Sequence, residues 1–465
     1  MSFSVEEVLK TTEGKLVQGK RGAVFQGVST DSRTIKEKEL FIALRGLHFD
    51  GHAYALEALD KRAAGVLIEE TKAGDFRWNG YRTQAVIAVR DSLQALGDLA
   101  RARRRRYGTP LVAITGSNGK TTTKEMVAAC LGTRLPILKT KGNFNNLIGL
   151  PLTLLNLTEK EKVVVLELGM NVPGEIRRLT EIAEPDIGLI TNIQMVHLEG
   201  VGSLERLTEE KGELFRGVRR DGTIIVNRDD SRVVGLAKAF PGRKITFGVE
   251  GRADVGAKKI ELTRAGTSFR LVTGDEEMKV ILPAFGKHLV MNALSAVAVA
   301  ILFEIELKDV KAALEQLRPY SMRMEIIPLP GGKTLIDDTY NANPVSMGLA
   351  LEVLVTMKGK GRAIALLGDM LELGSFSEEA HRQLGKKISE LPIDFLTMLG
   401  ERSALVVESA VHHGFPAERV RRVKDHSEAL LTLNEVAREG DWILIKGSRG
   451  MAMEKITERL KEGRA

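Results

Sequence analysis

The sequence predicts an α/β protein of three domains whose central sheet is parallel or mixed. The chain has 465 residues, more than one hydrophobic core usually organises. Short apolar runs such as "LVAIT" and "VVVLELGM" alternate with helical segments along its length. Apolar runs without polar alternation are typical of parallel strands covered by helices on both faces. We expect domains at residues 1–88, 89–317 and 318–465.

The first of these blocks predicts a smaller α/β domain. Its strands are expected at "ELFIALRG" and "AGVLIEE", with a helix at "HAYALEALDKRAA" between them. A further helix, "DSLQALGDLARARRRR", then leads into the second block.

The second block predicts the central sheet, with strands at "LVAIT", "VVVLELGM", "IGLITNI" and "GTIIVNRDD". The later segments "KITFGVE", "FRLVTG" and "MKVILPA" alternate polar and apolar residues, which indicates antiparallel strands. In the third block "RAIALLGDM", "DFLTMLG" and "DWILIKG" alternate with helices, as in a doubly wound, Rossmann-like domain. Ligands collect at the carboxyl ends of such strands, so the loops after strands are the candidate sites.

The composition excludes several classes of protein. A single cysteine, Cys130, excludes an intrachain disulfide framework and fits a reducing compartment. The first residues carry acids where a signal peptide needs a basic segment followed by an apolar run. No stretch approaches the roughly 18 apolar residues of a membrane span. We therefore expect a cytoplasmic protein without a membrane span.

The net charge of +7 is partly local, because Arg101 and Arg103–Arg106 stand together in "RARRRRY". Clustered arginines can neutralise nucleic-acid phosphates. Cations at the end of a helix also complement its dipole, and the run follows an amphipathic helix. Aromatic residues make up only 5% of the chain, so base stacking is not indicated. We interpret the run as a solvated helix end and predict no nucleic-acid partner.

A phosphate-binding loop is predicted at "GSNGKTTT", between the strand "LVAIT" and a helix. Glycines let backbone N–H groups point inward, the helix N-terminus is positive, Lys120 adds a cation, and the Thr121 hydroxyl can bind Mg²⁺. The loop is shorter than the usual P-loop. We predict a P-loop-type ATPase domain whose ATP contacts include Gly116, Ser117, Asn118, Gly119, Lys120, Thr121 and Thr122.

A metal site is predicted beside this loop. Glu167 ends the strand "VVVLE", and His197 follows the strand "IGLITNI". Either residue alone could be structural. Because both follow strands of one predicted sheet, we expect Glu167 and His197 to act in catalysis as metal ligands together with Thr121.

Several motifs, taken in order, resemble those of the Mur ligase family. They are "TGSNGKTTT", "ELGMN", "NIQMVHLEG", "GKHLVMNALSAVAV" and "DDTYNANP". The resemblance covers the whole chain, since "STDSRTIKEKELFIALRGLHFDGH" resembles the family's uridine-nucleotide domain. It implies an ATP-dependent amide ligase of peptidoglycan synthesis. "KGNFNNLIGLPLTLL" and "LLGDMLELG" favour the branch that joins D-alanyl-D-alanine to UDP-N-acetylmuramoyl-tripeptide through an acyl phosphate.

The resemblance also implies roles for single residues. Lys211 matches a catalytic lysine carried as an N-carbamate, formed from CO₂, that helps to hold a second Mg²⁺. Asn292 matches an adenine contact, Arg323 a nucleotide-phosphate contact and Asp338 a ribose contact. Without the resemblance, Lys211 reads as a solvent-facing helical residue. Asp338 would likewise be a cap for the turn that follows it.

Substrate contacts are expected in all three blocks. Thr30, Ser32 and Arg33 resemble uridine-diphosphate contacts, and the asparagines of two loops could hold amide groups. Lys446 and Arg449 could hold a carboxylate or phosphate. The loop asparagines assigned to substrate are Asn143, Asn146, Asn341 and Asn343.

Two alternative functions remain open at this point. A P-loop motor acting on nucleic acid would use the arginine run, whereas a folylpolyglutamate synthase would not need the first domain. A protein that merely holds nucleotide would give the acid, the histidine and the lysine no common purpose. We expect a monomeric ligase.

Overall fold

The computed structural model describes most of the chain as three layered α/β units. Burial follows the sequence pattern, because the apolar runs form sheet strands and the apolar helix faces cover them. No helix among the described residues combines the length and apolar character that crossing a bilayer requires. The described residues are 2–46, 49–194, 202–263, 265–317 and 321–463.

The first unit contains a sheet of five described strands in the order β2-β7-β6-β5-β4. Its neighbours pair in parallel except for β2 with β7. The unit comprises β1 Phe3–Ser4, α1 Val5–Thr12, β2 Lys15–Gln18, β3 Val24–Phe25, β4 Gly27–Ser29, β5 Glu39–Ile42, α2 Ala55–Asp60, β6 Gly65–Glu69 and β7 Ala85–Val89.

The second unit contains a sheet of nine described strands in the order β16-β15-β14-β13-β12-β11-β8-β10-β9. Its strands are β8 Leu111–Thr115, β9 Ile137–Lys139, β10 Val163–Glu167, β11 Ile187–Ile190, β12 Thr223–Asn227, β13 Arg243–Gly248, β14 Val255–Thr263, β15 Gly266–Thr273 and β16 Glu276–Leu282. Its helices are α3 Ser92–Tyr107, α4 Lys120–Gly132, α5 Gly149–Leu155, α6 Glu175–Ala183, α7 Leu204–Gly217, α8 Ser231–Ala237, α9 Lys287–Leu302 and α10 Leu307–Glu315.

The third unit contains a sheet of six described strands in the order β17-β18-β22-β19-β20-β21. All neighbours are parallel except β17 with β18. The strands are β17 Glu325–Leu329, β18 Lys333–Asp338, β19 Ala363–Gly368, β20 Phe395–Leu399, β21 Val420–Val423 and β22 Trp442–Lys446. The helices are α11 Pro344–Met357, α12 Ser377–Ser389, α13 Ser403–His412, α14 His426–Val436 and α15 Glu454–Lys461.

These units match the predicted α/β class, but the direction of β13 was predicted wrongly. β13 pairs in parallel with β12 and, briefly, with β14. The antiparallel expectation is correct for β15 and β16, and β14, which was not predicted, also pairs with β15 in antiparallel fashion. Alternation shows that one face of a strand is exposed, as at the start of β13, and carries no information on strand direction. The boundaries near residues 88 and 317 stay predictions.

The prediction of a solvated helix end is wrong for two of the five arginines, whereas Arg105 and Arg106 are exposed. Arg103 and Arg104 are buried at the end of α3. Nε of Arg103 donates to the carbonyl of Leu157 at 2.8 Å, and its guanidinium lies over the Tyr107 ring. Arg104 donates to Asp186 Oδ2 at 2.7 Å. Arg101 and Arg105 both pair with Glu184. The run fastens α3 to the central sheet, because backbone carbonyls and acids at the ends of the neighbouring helices require cations.

Replacing Arg104 should therefore cost more than replacing its exposed neighbour. Arg104→Ala leaves Asp186 partly buried without this partner, so we expect the free energy of unfolding to fall by about 2–3 kcal/mol. Arg105→Ala removes an ion pair from a largely exposed side chain and should cost about 0–1 kcal/mol. Urea unfolding followed by circular dichroism measures both. Equal losses would contradict the structural role of Arg104.

Candidate active site

The phosphate loop lies between β8 and α4 and needs glycine at two positions. Gly116 has φ +147°, and a Cβ there would lie 1.9 Å from Oγ1 of Thr191. Gly119 has φ +80°, and its Cβ would lie 2.5 Å from Oδ1 of Asn292. Both conformations exclude an ordinary side chain. The chain therefore turns from strand to helix and leaves the first N–H groups of α4 at the turn, where an anion can bind.

Residues after β11 hold the loop from the side. The Ser117 N–H donates to the carbonyl of Asn192 at 2.9 Å, and the Asn118 N–H donates to Asn192 Oδ1 at 3.0 Å. The Thr191 hydroxyl donates to the carbonyl of Asn118 at 2.6 Å. The Asn118 side chain donates to Gln194 Oε1 at 2.7 Å. This network fixes the loop before any ligand binds.

Two lysine side chains converge on one carbonyl oxygen of the loop. Nζ of Lys120 lies 2.9 Å and Nζ of Lys211 lies 3.0 Å from the oxygen of Gly116. Lys211 is 2% exposed, so it is not the solvent-facing lysine that its local sequence suggests. Burial lowers the pKa of Lys211 well below its ordinary value, and the nearby Lys120 lowers it further. Burial also lowers the pKa of Lys120. The arrangement favours a bound polyanion.

Glu167 at the end of β10 is held on one side and left open on the other. The side-chain amide of Asn145 donates to Oε1 of Glu167 at 2.9 Å. The backbone N–H of Glu167 donates to Oγ1 of Thr140 at 3.0 Å. Its Oε2 is buried and has no hydrogen-bond partner within the described part of the chain. Nζ of the fully buried Lys124 lies 3.9 Å from this oxygen. An unpartnered buried carboxylate oxygen suits a hard divalent cation such as Mg²⁺.

The rest of the predicted metal site is described only in part. His197 lies outside the described residues. Among those that are described, no group of three or more histidine, cysteine or acidic side chains is placed to hold a metal ion by itself. The Thr121 hydroxyl is at the start of α4 and accepts from Nη2 of Arg323 at 3.2 Å.

The third unit reaches the phosphate loop through two side chains. Arg323 contacts Thr121, and its guanidinium lies 3.9 Å from the centre of the Tyr340 ring. Asn343 donates to Oδ1 of Asn118 at 2.7 Å. The sequence separates these partners by about two hundred residues. The candidate site is therefore a cleft between the second and third units.

The cleft has a volume of about 880 Å³ and is lined by most of the predicted site residues. Asn292 is buried against Gly119. Asp338 is bound to Lys446, whose Nζ lies 2.5 Å from Oδ2. That lysine also donates to the carbonyl of Asn341 at 2.8 Å, so two of its donors are used inside the protein. The lining includes Asn118, Lys120, Thr121, Asn143, Asn146, Glu167, Asn292, Arg323, Asp338, Asn341, Asn343 and Lys446.

Other predicted contacts lie apart or are already engaged. Thr30, Ser32 and Arg33 follow β4 and are outside this cavity, with Arg33 paired to Asp31 at 2.7 Å. Oδ1 of Asn146 accepts from the N–H of Gly149 at 2.8 Å and so starts α5. Arg449 is exposed and lies outside the cavity among the described residues.

The sequence does not predict several residues of the site, including Thr191, Asn192 and Gln194, which hold the phosphate loop. Lys124 and Asn145 contact Glu167, Tyr340 stacks on Arg323, and His288 lines the cleft. Burial lowers the pKa of His288 to about 4, so it is neutral near pH 7. Asn145 and Tyr340 stand inside motifs that were already quoted. Nothing local marks Lys124, because its burial depends on the packing of α4.

Comparison with known proteins decides the family. The Mur ligase middle domain matches residues 114–300, the Mur ligase glutamate ligase domain matches 322–449, and the Mur ligase family catalytic domain matches 24–104. The chain belongs to the Mur ligase family. The predicted family and its three-domain fold are thus confirmed.

Relatives of this Mur ligase align along its whole length. It is 38% identical to UDP-N-acetylmuramoyl-tripeptide–D-alanyl-D-alanine ligase of Bacillus subtilis, over 99% of this chain and 98% of that one. A crystal structure of MurF from Acinetobacter baumannii has a TM-score of 0.91 at 32% identity and 99% coverage of both chains. MurF ligase from Thermotoga maritima in complex with ADP has a TM-score of 0.83 at 27% identity, covering 94% of this chain and 98% of that one.

The contact between Asn343 and Asn118 predicts separate effects of two substitutions. Oδ1 of Asn343 caps α11 by accepting from the Ser346 N–H at 2.9 Å. Asn343→Asp keeps this cap, since Asp caps helices as well as Asn, but cannot donate to Asn118. We expect unchanged thermal stability and about three- to tenfold weaker ADP binding by calorimetry. Asn343→Ala removes both the helix cap and the contact with Asn118, so we expect lower thermal stability as well as weaker ADP binding. ADP binding of wild-type strength in Asn343→Asp would refute a role for this contact.

Proposed function

We infer that this Mur ligase joins D-alanyl-D-alanine to UDP-N-acetylmuramoyl-tripeptide at the expense of ATP, releasing ADP and phosphate, in peptidoglycan synthesis. The observation that carries this inference is the cleft in which Arg323 and Asn343 of the third unit meet the phosphate loop of the second. A ligase needs such a cleft, because nucleotide and acceptor must meet out of water. The full-length similarity to relatives of that name supports the same substrates.

The reaction activates a carboxylate before an amide forms. The terminal carboxylate of the tripeptide attacks the γ-phosphorus of ATP, and the bond from that phosphorus to ADP breaks. The amino nitrogen of D-alanyl-D-alanine then attacks the carbonyl carbon of the acyl phosphate. Phosphate leaves with one former carboxylate oxygen, and the nitrogen loses its proton.

The chain's own cations make the first step possible. Lys120 of the phosphate loop and Arg323 of the third unit would offset repulsion between the carboxylate and the triphosphate. The backbone of residues 116–122 would hold the phosphates. Asn292, which lies against Gly119, would contact the adenine, and Asp338 is assigned to the ribose by the family resemblance.

Two Mg²⁺ ions are part of this proposal. Thr121, Glu167, His197 and a carbamate on Lys211 would hold them, and the unpartnered Oε2 of Glu167 supports a ligand role. Bound Mg²⁺ would neutralise charge on the phosphates. The low pKa of the buried Lys211 supports carbamylation, since CO₂ reacts with the neutral amine.

Substrate binding completes the proposal. Thr30, Ser32 and Arg33 in the first unit would contact the uridine diphosphate, and Asn143, Asn146, Asn341, Asn343, Lys446 and Arg449 would contact the remaining substrate groups. We place the reaction in the cytoplasm, where ATP and UDP-linked precursors are made, and propose a monomer. The nucleic-acid alternative loses support, because Arg103 and Arg104 are buried and Arg101 and Arg105 pair with Glu184.

Phosphate release tests this function directly. With ATP present, UDP-N-acetylmuramoyl-tripeptide and D-alanyl-D-alanine are supplied singly and together. We expect sustained release only with both, because the acyl phosphate needs an amine acceptor. Release that does not depend on the dipeptide would refute the function. In control reactions, DNA or glutamate replaces D-alanyl-D-alanine, and we expect no release of phosphate with either.

The carbamate has its own test. Lys211→Ala should lower kcat about a hundredfold or more, since an anionic ligand disappears. Short-chain carboxylic acids should restore part of this loss by supplying the missing carboxylate. Replacement of the exposed Lys238 serves as the control and should leave kcat unchanged. Full activity of Lys211→Ala would reject a carbamate role.

A further inference from the structure

Arg323 stands between two residues in a strained backbone conformation. Met322 has φ +63° and Met324 has φ +53°, both in the left-handed region. This conformation brings Cβ too close to the following carbonyl oxygen, so it is unfavourable for every residue except glycine. Left-handed residues persist when surrounding contacts impose them, and they concentrate at functional sites. The loop that presents Arg323 would therefore relax without outside support.

Three contacts from the last residue of β18 and the loop after it supply that support. The Met324 N–H donates to Oδ1 of Asp338 at 3.1 Å. The N–H of Tyr340 donates to the carbonyl of Met322 at 3.0 Å. The Tyr340 ring lies under the Arg323 guanidinium, 3.9 Å from ring centre to Cζ. Each strained residue is thus tied by its backbone, and the side chain between them is held by a ring.

Lys446 fixes the position of Asp338 in turn. Its Nζ lies 2.5 Å from Oδ2 of Asp338, and the lysine is 2% exposed. The two residues face each other on the adjacent parallel strands β18 and β22. Both carboxylate oxygens of Asp338 are therefore engaged, one by the loop and one by the lysine. A buried pair of this kind specifies one geometry more than it adds stability.

We propose that Asp338, Lys446 and Tyr340 are positioning residues that hold the strained 322–324 loop so that Arg323 reaches Thr121 and the transferring phosphate. This proposal rests on the function inferred above. It gives Lys446 a positioning role inside the protein. It also gives Asp338 a role that acts through Arg323.

A double-mutant cycle tests this dependence. Asp338→Ala with Lys446→Met removes both charges, so that neither is left buried alone. With both substrates saturating, we expect kcat/KM for ATP to fall about tenfold or more, with thermal unfolding confirming the fold. In an Arg323→Ala background the same pair should cause less than about a threefold further loss. If the pair of substitutions lowers kcat/KM as much in the Arg323→Ala background as in the wild type, the proposal is overturned.

Relief of the backbone strain gives a second measurement. Glycine adopts the left-handed conformation without penalty, so Met322→Gly should restore about fivefold of kcat/KM to the Asp338/Lys446 variant. Ser321→Gly is the matched control, because it loosens the same loop at an exposed residue that is not left-handed. Recovery with neither glycine, or equal recovery with both, would overturn the proposal. A direct ribose contact through Asp338 would give no recovery with Met322→Gly.

Tyr340 keeps the proposal testable if the paired variant does not fold. Tyr340→Phe retains the ring under Arg323 and should keep kcat/KM for ATP, whereas Tyr340→Leu should lower it about threefold or more. The loss should vanish in Arg323→Ala, and its persistence there would contradict the proposal. Failure of the inferred function would look different, since phosphate release in the wild type would then not depend on the dipeptide.

Discussion

A cluster of positive charge, held away from water beside the phosphate loop, is the constraint around which the cleft is organised. Lys120 and Lys211 share one carbonyl oxygen, and Arg323 arrives from the third unit. Burial lowers the pKa of both lysines, and the charge of Lys120 lowers the pKa of Lys211 further. Lys120 and Arg323 supply the positive charge that favours a bound polyanion, whereas burial favours the uncharged amine of Lys211. The affinity for ATP phosphates is therefore built in before the nucleotide arrives.

The need for positive charge beside the phosphate loop also explains why the third unit contributes to the site. Arg323 can join the cluster only if its loop is held in place, and that support comes from β18 and β22. Asn343 adds a direct contact from the start of α11 to Asn118. The geometry of the second unit alone would leave the triphosphate open to water. Contacts between the units place the cations around the phosphates and close the site.

The sequence predicts the parts of this arrangement that are local. Buried strands, the glycine turn and the position of Glu167 follow from periodicity and from where a strand ends. The direction of β13 cannot be predicted in this way, because the alternation of polar and apolar residues shows only that one face of the strand is exposed. Long-range partners are also beyond local patterns. The pairing of Lys446 with Asp338 joins residues 108 positions apart, and the burial of Arg103 and Arg104 depends on elements far along the chain. The conformation of Met322 and Met324 has no sequence signal, because neither is glycine or asparagine.

In the proposed function, the cleft uses ATP to activate a carboxylate. Oxygen-18 in both oxygens of the terminal carboxylate of UDP-N-acetylmuramoyl-tripeptide reports whether this activation occurs. If an acyl phosphate forms, mass spectrometry of the released phosphate should find one labelled oxygen for each amide bond made. Unlabelled phosphate, with the label retained in the amide product or lost to water, would contradict the account.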